Sequence, residues 1–163
     1  MEKLYDRGRL PMNALHPEKE NPMHHLDLSR INYLAVLVAS LAAFFIGAVW
    51  YTALFGKLWL EKHGYTTEQM QQMQVKRPMP VFFVELIVSY FIAAMGLDIL
   101  IMDSREITLV TGIHVGLICY AIVAAFRMTA HVSGPKPIGA FLIDSGFDFV
   151  ALPVMGAILA TWR

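Results

Sequence analysis

Four stretches of this sequence are each long and apolar enough to cross a lipid bilayer: residues 31–55, 81–102, 107–130 and 138–162. The hydrocarbon core of a bilayer is roughly 30 Å thick and takes about 20 helical residues to cross. No water is available there to bond exposed amides, so each crossing segment satisfies its own backbone as a helix. The first stretch carries no charge. The others are interrupted only by Glu85 and Asp98, by His114 and Arg127, and by Asp144 and Asp148. Hydrophobic residues make up 56% of the 163 residues and charged residues 16%, against about 25% charged in a soluble domain. Too little polar material remains to cover a water-facing surface.

The expected fold is all-α, an integral membrane four-helix bundle. "DSRE" (Asp103, Ser104, Arg105, Glu106) links the second and third spans, and "VSGPKP" at 132–137 links the third and fourth. Links this short make the spans antiparallel neighbours. Both termini then lie on one side, side A. The larger loop, 56–80, lies on side B. Lys and Arg are more numerous on side A over the whole chain, which places the termini in the cytoplasm, although the tally close to the spans runs four to five the other way. Residues 1–30 form a polar tail in which Pro11, Pro17 and Pro22 break any long helix. The first apolar run begins after this tail and is too long for a signal core, so no cleavable signal peptide is expected. Within the large loop, Thr66 followed by Gln69 marks a capped start for a short helix over 67–74, whose Met70 and Met73 would lie on the headgroups.

The run "GAVWYTALFGKLW", residues 47–59, reads first as a membrane edge. Trp50, Tyr51 and Trp59 suit the interfacial belt, Gly56 permits a sharp exit, and Lys57 reaches the headgroups. One turn deeper, Ala39, Ala43 and Gly47 make a small-residue ridge for close helix contact, and Gly112 and Gly116 make another, within the bundle or between copies.

The buried charges carry the functional reading. A charge at mid-bilayer costs roughly 2.5–3.5 kcal/mol even on the mild insertion scale, so Glu85, Asp98, Arg127, Asp144 and Asp148 should face the bundle interior. Helical rise puts Arg127 about 5 Å, Glu85 and Tyr51 about 6 Å and Asp144 about 9 Å from the side B end, on four different helices. The expected cluster is therefore Glu85, Arg127 and Asp144, walled by Trp50 and Tyr51, with the Arg fork shared between carboxylates. Asp148 shares a face with Asp144. With His114 and Asp98 deeper towards side A, it extends a broken polar trail of relay groups.

Two functions compete. One is a small transport or proton-coupled protein that takes an unknown solute or ion at this cluster. The other is a non-catalytic accessory or scaffold protein whose buried charges fix helix order. An enzyme ranks last, because no nucleophile–base pair, phosphate loop or metal-ligand spacing is present. No cofactor is expected: His114 and His131 lie about 25 Å apart along one helix and cannot ligate one haem iron. The adjacent His24 and His25, with Met23, lack spaced partners for a metal. Net charge is zero with no basic face, so no nucleic-acid partner is expected. Cys119 is alone and forms no internal disulfide. The expected partners are the lipid bilayer and, because one small bundle leaves little room for a pore, further copies of the chain in a homo-oligomer.

The sequence also resembles the small membrane proteins grouped as domain of unknown function 1761. The resemblance rests on Asn32 and Tyr33, on Gly47, Trp50 and Tyr51 as Gly-x-x-Trp-Tyr, and on Phe55, Gly56, Lys57 and Trp59 as Phe-Gly-Lys-x-Trp. The last span, with Asp144 and Gly156, is similar to the family's closing helix. It implies a four-helix inner-membrane protein, with an aromatic residue or histidine expected where this chain has Asp148. It implies no activity, substrate or catalytic residue.

Overall fold

Helix α1, Tyr33–Val49, starts where the side chain of Asn32 accepts a hydrogen bond from the Ala35 amide, 3.1 Å away. A computed structural model describes residues 28–162 except Arg77, Pro135 and Lys136, with backbone alone at Thr67 and residues 73–76. The expectations for the tail and for Met73 fall outside those residues or side chains. Ahead of α1, Leu28–Arg30 form one 3₁₀ turn. The unit that carries the spans is Ile31–Arg163.

After α1 the chain widens into a π turn, Trp50–Leu54, closed by the Phe55 amide on the Trp50 carbonyl at 2.9 Å. Two short helices follow, α2 (Gly56–His63) and α3 (Thr67–Lys76). Three long ones complete the chain: α4 (Met79–Met102), α5 (Leu109–Val132) and α6 (Ile138–Thr161). Among the described residues there is no strand. The four crossing segments are Tyr33–Leu54, with 22 residues, and α4, α5 and α6, with 24 each. At 1.5 Å per residue these span about 33–36 Å, enough for the hydrocarbon core with some tilt. Their outer faces show Phe126 at 75% and Ile92 at 65% exposed. Such faces would aggregate in water and are ordinary against lipid chains. The protein is an all-α membrane four-helix bundle.

The boundaries move where capping chemistry decides them. The third span opens at Leu109, because the Thr108 hydroxyl accepts from the Thr111 amide at 3.1 Å. Pro78 precedes α4, placing Pro80 in its first turn, where a missing amide proton is harmless. Thr66 and Gln69 form the expected reciprocal cap: the Gln69 amide donates to Thr66 Oγ1 at 3.2 Å and the Thr66 amide to Gln69 Oε1 at 3.0 Å. The Glu68 amide and the Thr66 hydroxyl also hold the Glu68 carboxyl below its ordinary value. The large loop holds two helices where the sequence suggested one. Helix α2 ends at Gly64, whose φ of 70° is left-handed and suits glycine.

Helix α6 is the packing centre. It touches α1, α4 and α5 and buries ten residues, from Ala140 to Ala160. The ridge of Ala39, Ala43 and Gly47 is buried, with Phe147 and Tyr90 against Gly47. Helix α5 buries only Gly112 and Gly116. A Cβ on Gly112 would overlap the carbonyl oxygen of Gly156, and one on Gly116 would lie 2.6 Å from that of Leu152. This glycine pair therefore works inside the bundle, bringing two backbones into direct contact. One face of α5 packs on α6, a smaller contact goes to α4, and residues such as Ile118, Ile122 and Phe126 point outward.

Candidate functional site

The site forms at the side B end, where α2 folds back over the start of α6. The π turn aims two consecutive side chains at α6. Trp50 Nε1 donates to the Ile143 carbonyl at 3.0 Å, and the Tyr51 hydroxyl donates to Asp144 Oδ1 at 3.2 Å. A π turn inside a helix commonly marks a functional region. Gly146 leaves room for the Trp50 indole: a Cβ there would stand 3.0 Å from Cζ2. Tyr51 also packs on Phe147, ring centres 5.4 Å apart.

Helix α2 supplies two more groups to Asp144. Trp59 Nε1 donates to Oδ1 at 2.9 Å, and His63 Nε2 lies 3.4 Å from Oδ2. The stem of Lys62 lies across Gly139, which has no side chain to hold it off. Trp59 and His63, four residues apart on α2, stack with centroids 4.2 Å apart. His63 is 7% exposed, and its Nδ1 lies 3.0 Å from the Trp59 carbonyl. Both ring nitrogens therefore face acceptors. A neutral imidazole donates from only one nitrogen, and the contact with the Trp59 carbonyl is the shorter of the two.

Arg127, on α5, reaches Asp148 on α6. Nε lies 2.5 Å from Oδ2, and Nη2 donates to Oδ1 at 3.3 Å. The buried Oδ2 meets the guanidinium as an ion contact and not as an aligned hydrogen bond. This pairing uses the Nε edge of the fork and leaves the Nη1 end uncommitted among the described residues. Below it, Tyr120 and Ser145 hydroxyls lie 3.3 Å apart and tie α5 to α6 once more.

Between these pairs lies a cavity of about 190 Å³ lined by His63, Arg127, Ala130, His131, Gly134, Ala140, Phe141 and Asp144. His131 stands one turn beyond Arg127 on α5, with its ring against Phe141 at 5.9 Å. Its Nδ1 is buried and has no hydrogen-bond partner among the described residues. A buried polar atom left unbonded is costly, and here it sits in a residue that lines the cavity with its other atoms.

Of the residues singled out from the sequence, Trp50, Tyr51, Arg127, Asp144 and Asp148 converge at this end. Arg127 takes Asp148 as its ion partner, where the sequence suggested Glu85 and Asp144. Asp144 is one turn nearer the surface and is taken up by α2. Glu85 is exposed on α4 and lies outside the cavity lining; its carbonyl accepts from the Ser89 hydroxyl at 2.7 Å. Asp98 is fully buried in α4 towards side A. His114 is exposed on the outer face of α5, so the trail of relay groups does not pass through it inside this bundle. Trp59, read from the sequence as an edge marker, meets Asp144, and His131, weighed there only for haem, lines the cavity; His63 was not singled out. The spacings Trp59-x-x-x-His63 and Arg127-x-x-x-His131 were the available signals, each one helical turn. Among the described residues, no group of three or more His, Cys, Asp or Glu is placed to hold a metal ion.

Neither the curated proteins nor the solved structures give a match to this chain. A family model matches residues 34–160, from the first turn of α1 to the last of α6. It spans the π turn, α2 and every lining residue of the cavity, and the chain belongs to that family, described as a protein of unknown function, DUF1761.

Proposed function

We propose that this membrane protein is a small transport protein that binds a solute or ion in the side B cavity and couples its passage to protons. The observation that carries the reading is the meeting of Arg127, His131, His63 and Asp144, from three helices, on one cavity of about 190 Å³. Imidazole and carboxylate groups beside a guanidinium are the residue types that a proton-coupled binding step needs. The setting we propose is a bacterial inner membrane with cytoplasmic termini.

The test is proton flux through liposomes, scored beside thermal stability. Arg127→Gln alone strands the Asp148 carboxylate, so it confuses function with folding. The paired replacement Arg127→Gln with Asp148→Asn removes both charges and keeps two amides able to bond. Flux in the wild type, lost in the stable paired variant, supports the reading. No flux in the wild type counts against it.

A second reading draws on the same contacts. Asp144 already accepts from Tyr51 and Trp59 and meets His63, and Asp148 is held by Arg127. Charges satisfied in this way also serve an accessory protein as fasteners between α2, α5 and α6. Under that reading, unpaired Arg127→Gln lowers stability and abundance, and the search moves to partner proteins.

A further inference from the structure

Helix α2 is the least anchored wall of the cavity. Of the lining residues, His63 comes from α2, and the others belong to α5, α6 and the link between them. Apart from the His63 ring, the α2 side chains are half-buried or exposed, with Lys57, Leu58 and Glu61 on the outside. Its packing goes mainly to α6 and to the π turn. Among the described residues, the side-chain hydrogen bond and the ion contact that join α2 to the bundle both end on Asp144: Trp59 Nε1 at 2.9 Å and His63 Nε2 at 3.4 Å. The opposite wall is built differently. There α5 and α6 meet backbone to backbone at Gly112 and Gly116, and Arg127 joins Asp148.

The chain breaks helical geometry at each end of α2. Before it, Phe55 has φ −121° and ψ 3°, and the turn is so tight that a Cβ on Gly56 would stand 2.7 Å from the Tyr51 carbonyl oxygen. After it, Gly64 is left-handed. Element-terminal residues of this kind absorb the backbone rotation of a hinge without unwinding the helix between them. Tyr51 lies on the bundle side of the first break and donates to the same Asp144 oxygen as Trp59. It holds that carboxyl in place when α2 leaves, so the contact can form again.

We infer that α2 is a hinged lid, held shut by Trp59 and His63 on Asp144, and that its opening admits solute to the side B cavity. This rests on the binding reading above and adds how that site is entered. Shut, the lid places His63 in the wall and lays the Lys62 stem along Gly139, next to the buried lining residue Ala140. Open, it takes both away and uncovers Ala140. Lids of this size move in microseconds to milliseconds and set the rate of many binding cycles.

Two measurements on the full chain test this, both in a Cys119→Ala background. The first needs no ligand. Ala140→Cys in nanodiscs is reacted with a small water-soluble methanethiosulfonate, with and without Trp59→Phe, which keeps a ring against His63 but has no donor for Asp144. The reaction should run about fivefold faster with Trp59→Phe, the loss of one hydrogen bond, with the thermal unfolding midpoint retained. Ala151→Cys, in the core, should stay unreacted in both. Equal rates at Ala140→Cys, or no reaction in either, overturn the lid. The second joins Lys62→Cys to Gly139→Cys in liposomes. Oxidation ties α2 to α6 and should stop proton flux, and reduction should restore it. Flux that ignores the disulfide overturns the lid and leaves the transport reading intact. Flux absent from the wild type counts against the transport reading, while the lid stands or falls on the thiol rates.

Discussion

Arg127 both fastens α5 to α6 through Asp148 and lines the side B cavity. Asp148 is 7% exposed, and its carboxylate depends on the guanidinium that reaches it from α5. Arg127→Gln leaves that charge desolvated, at a cost of about 1–3 kcal/mol or more. Asp148→Asn alone leaves a half-exposed Arg that water and headgroups can reach, so its cost is smaller. A thermal-unfolding cycle of wild type, both single variants and the pair should show the double variant more stable than Arg127→Gln. Simple addition of the two losses would mean that the ion pair is not coupled. Which carboxylate Arg127 would choose was not legible in the sequence. Depth along a helix follows from rise per residue and was read usefully for Tyr51, Arg127 and Asp144. Rotation about the axis, and the arrival of a short helix from outside the spans, decided that Asp144 went to α2 and Asp148 to Arg127.

At the scale of elements, the spans were legible and α2 was not. More than twenty apolar residues in a row have one stable arrangement in lipid, and the caps at Asn32, Thr66 and Thr108 are local chemistry. The eight residues of α2 include Lys57, Glu61, Lys62 and His63 and read as loop. They fold as helix because Trp59 and His63 find a carboxylate on α6 that no nearby sequence reveals. That dependence makes α2 separable from the bundle. Trp59→Ala removes one donor to Asp144 and the stacking partner of His63, loosening the element by about 1–3 kcal/mol. Hydrogen exchange should then rise roughly tenfold or more across residues 56–63, with protection in α6 near Ala151 and Met155 unchanged. Exchange that rises evenly through all helices would show that α2 opens only with the whole bundle.

At the scale of the molecule, the four spans fix a topology that labelling can read. In a Cys119→Ala background, Ser104→Cys should be modified by an impermeant maleimide from one side of the membrane and Ser133→Cys from the other. Equal labelling of both from one side would break the four-span order. The same chain carries an unresolved expense on its outer face. Helix α5 gives its two buried glycines to α6 and turns His114 outward at a depth where lipid chains are the solvent. A polar ring there is unfavourable against hydrocarbon and is relieved by a hydrogen-bonding neighbour. A homo-oligomer supplies one without new sequence: in a two-fold pair with parallel membrane orientation, His114 of each copy sits at the same depth as its counterpart. If copies associate through this face, His114→Cys in the Cys119→Ala background should form a covalent dimer in native membranes on mild oxidation, whereas Glu85→Cys, exposed on α4, should not. Monomer in both cases would mean that His114 faces lipid or a different protein, and the side B cavity would then belong to a single bundle.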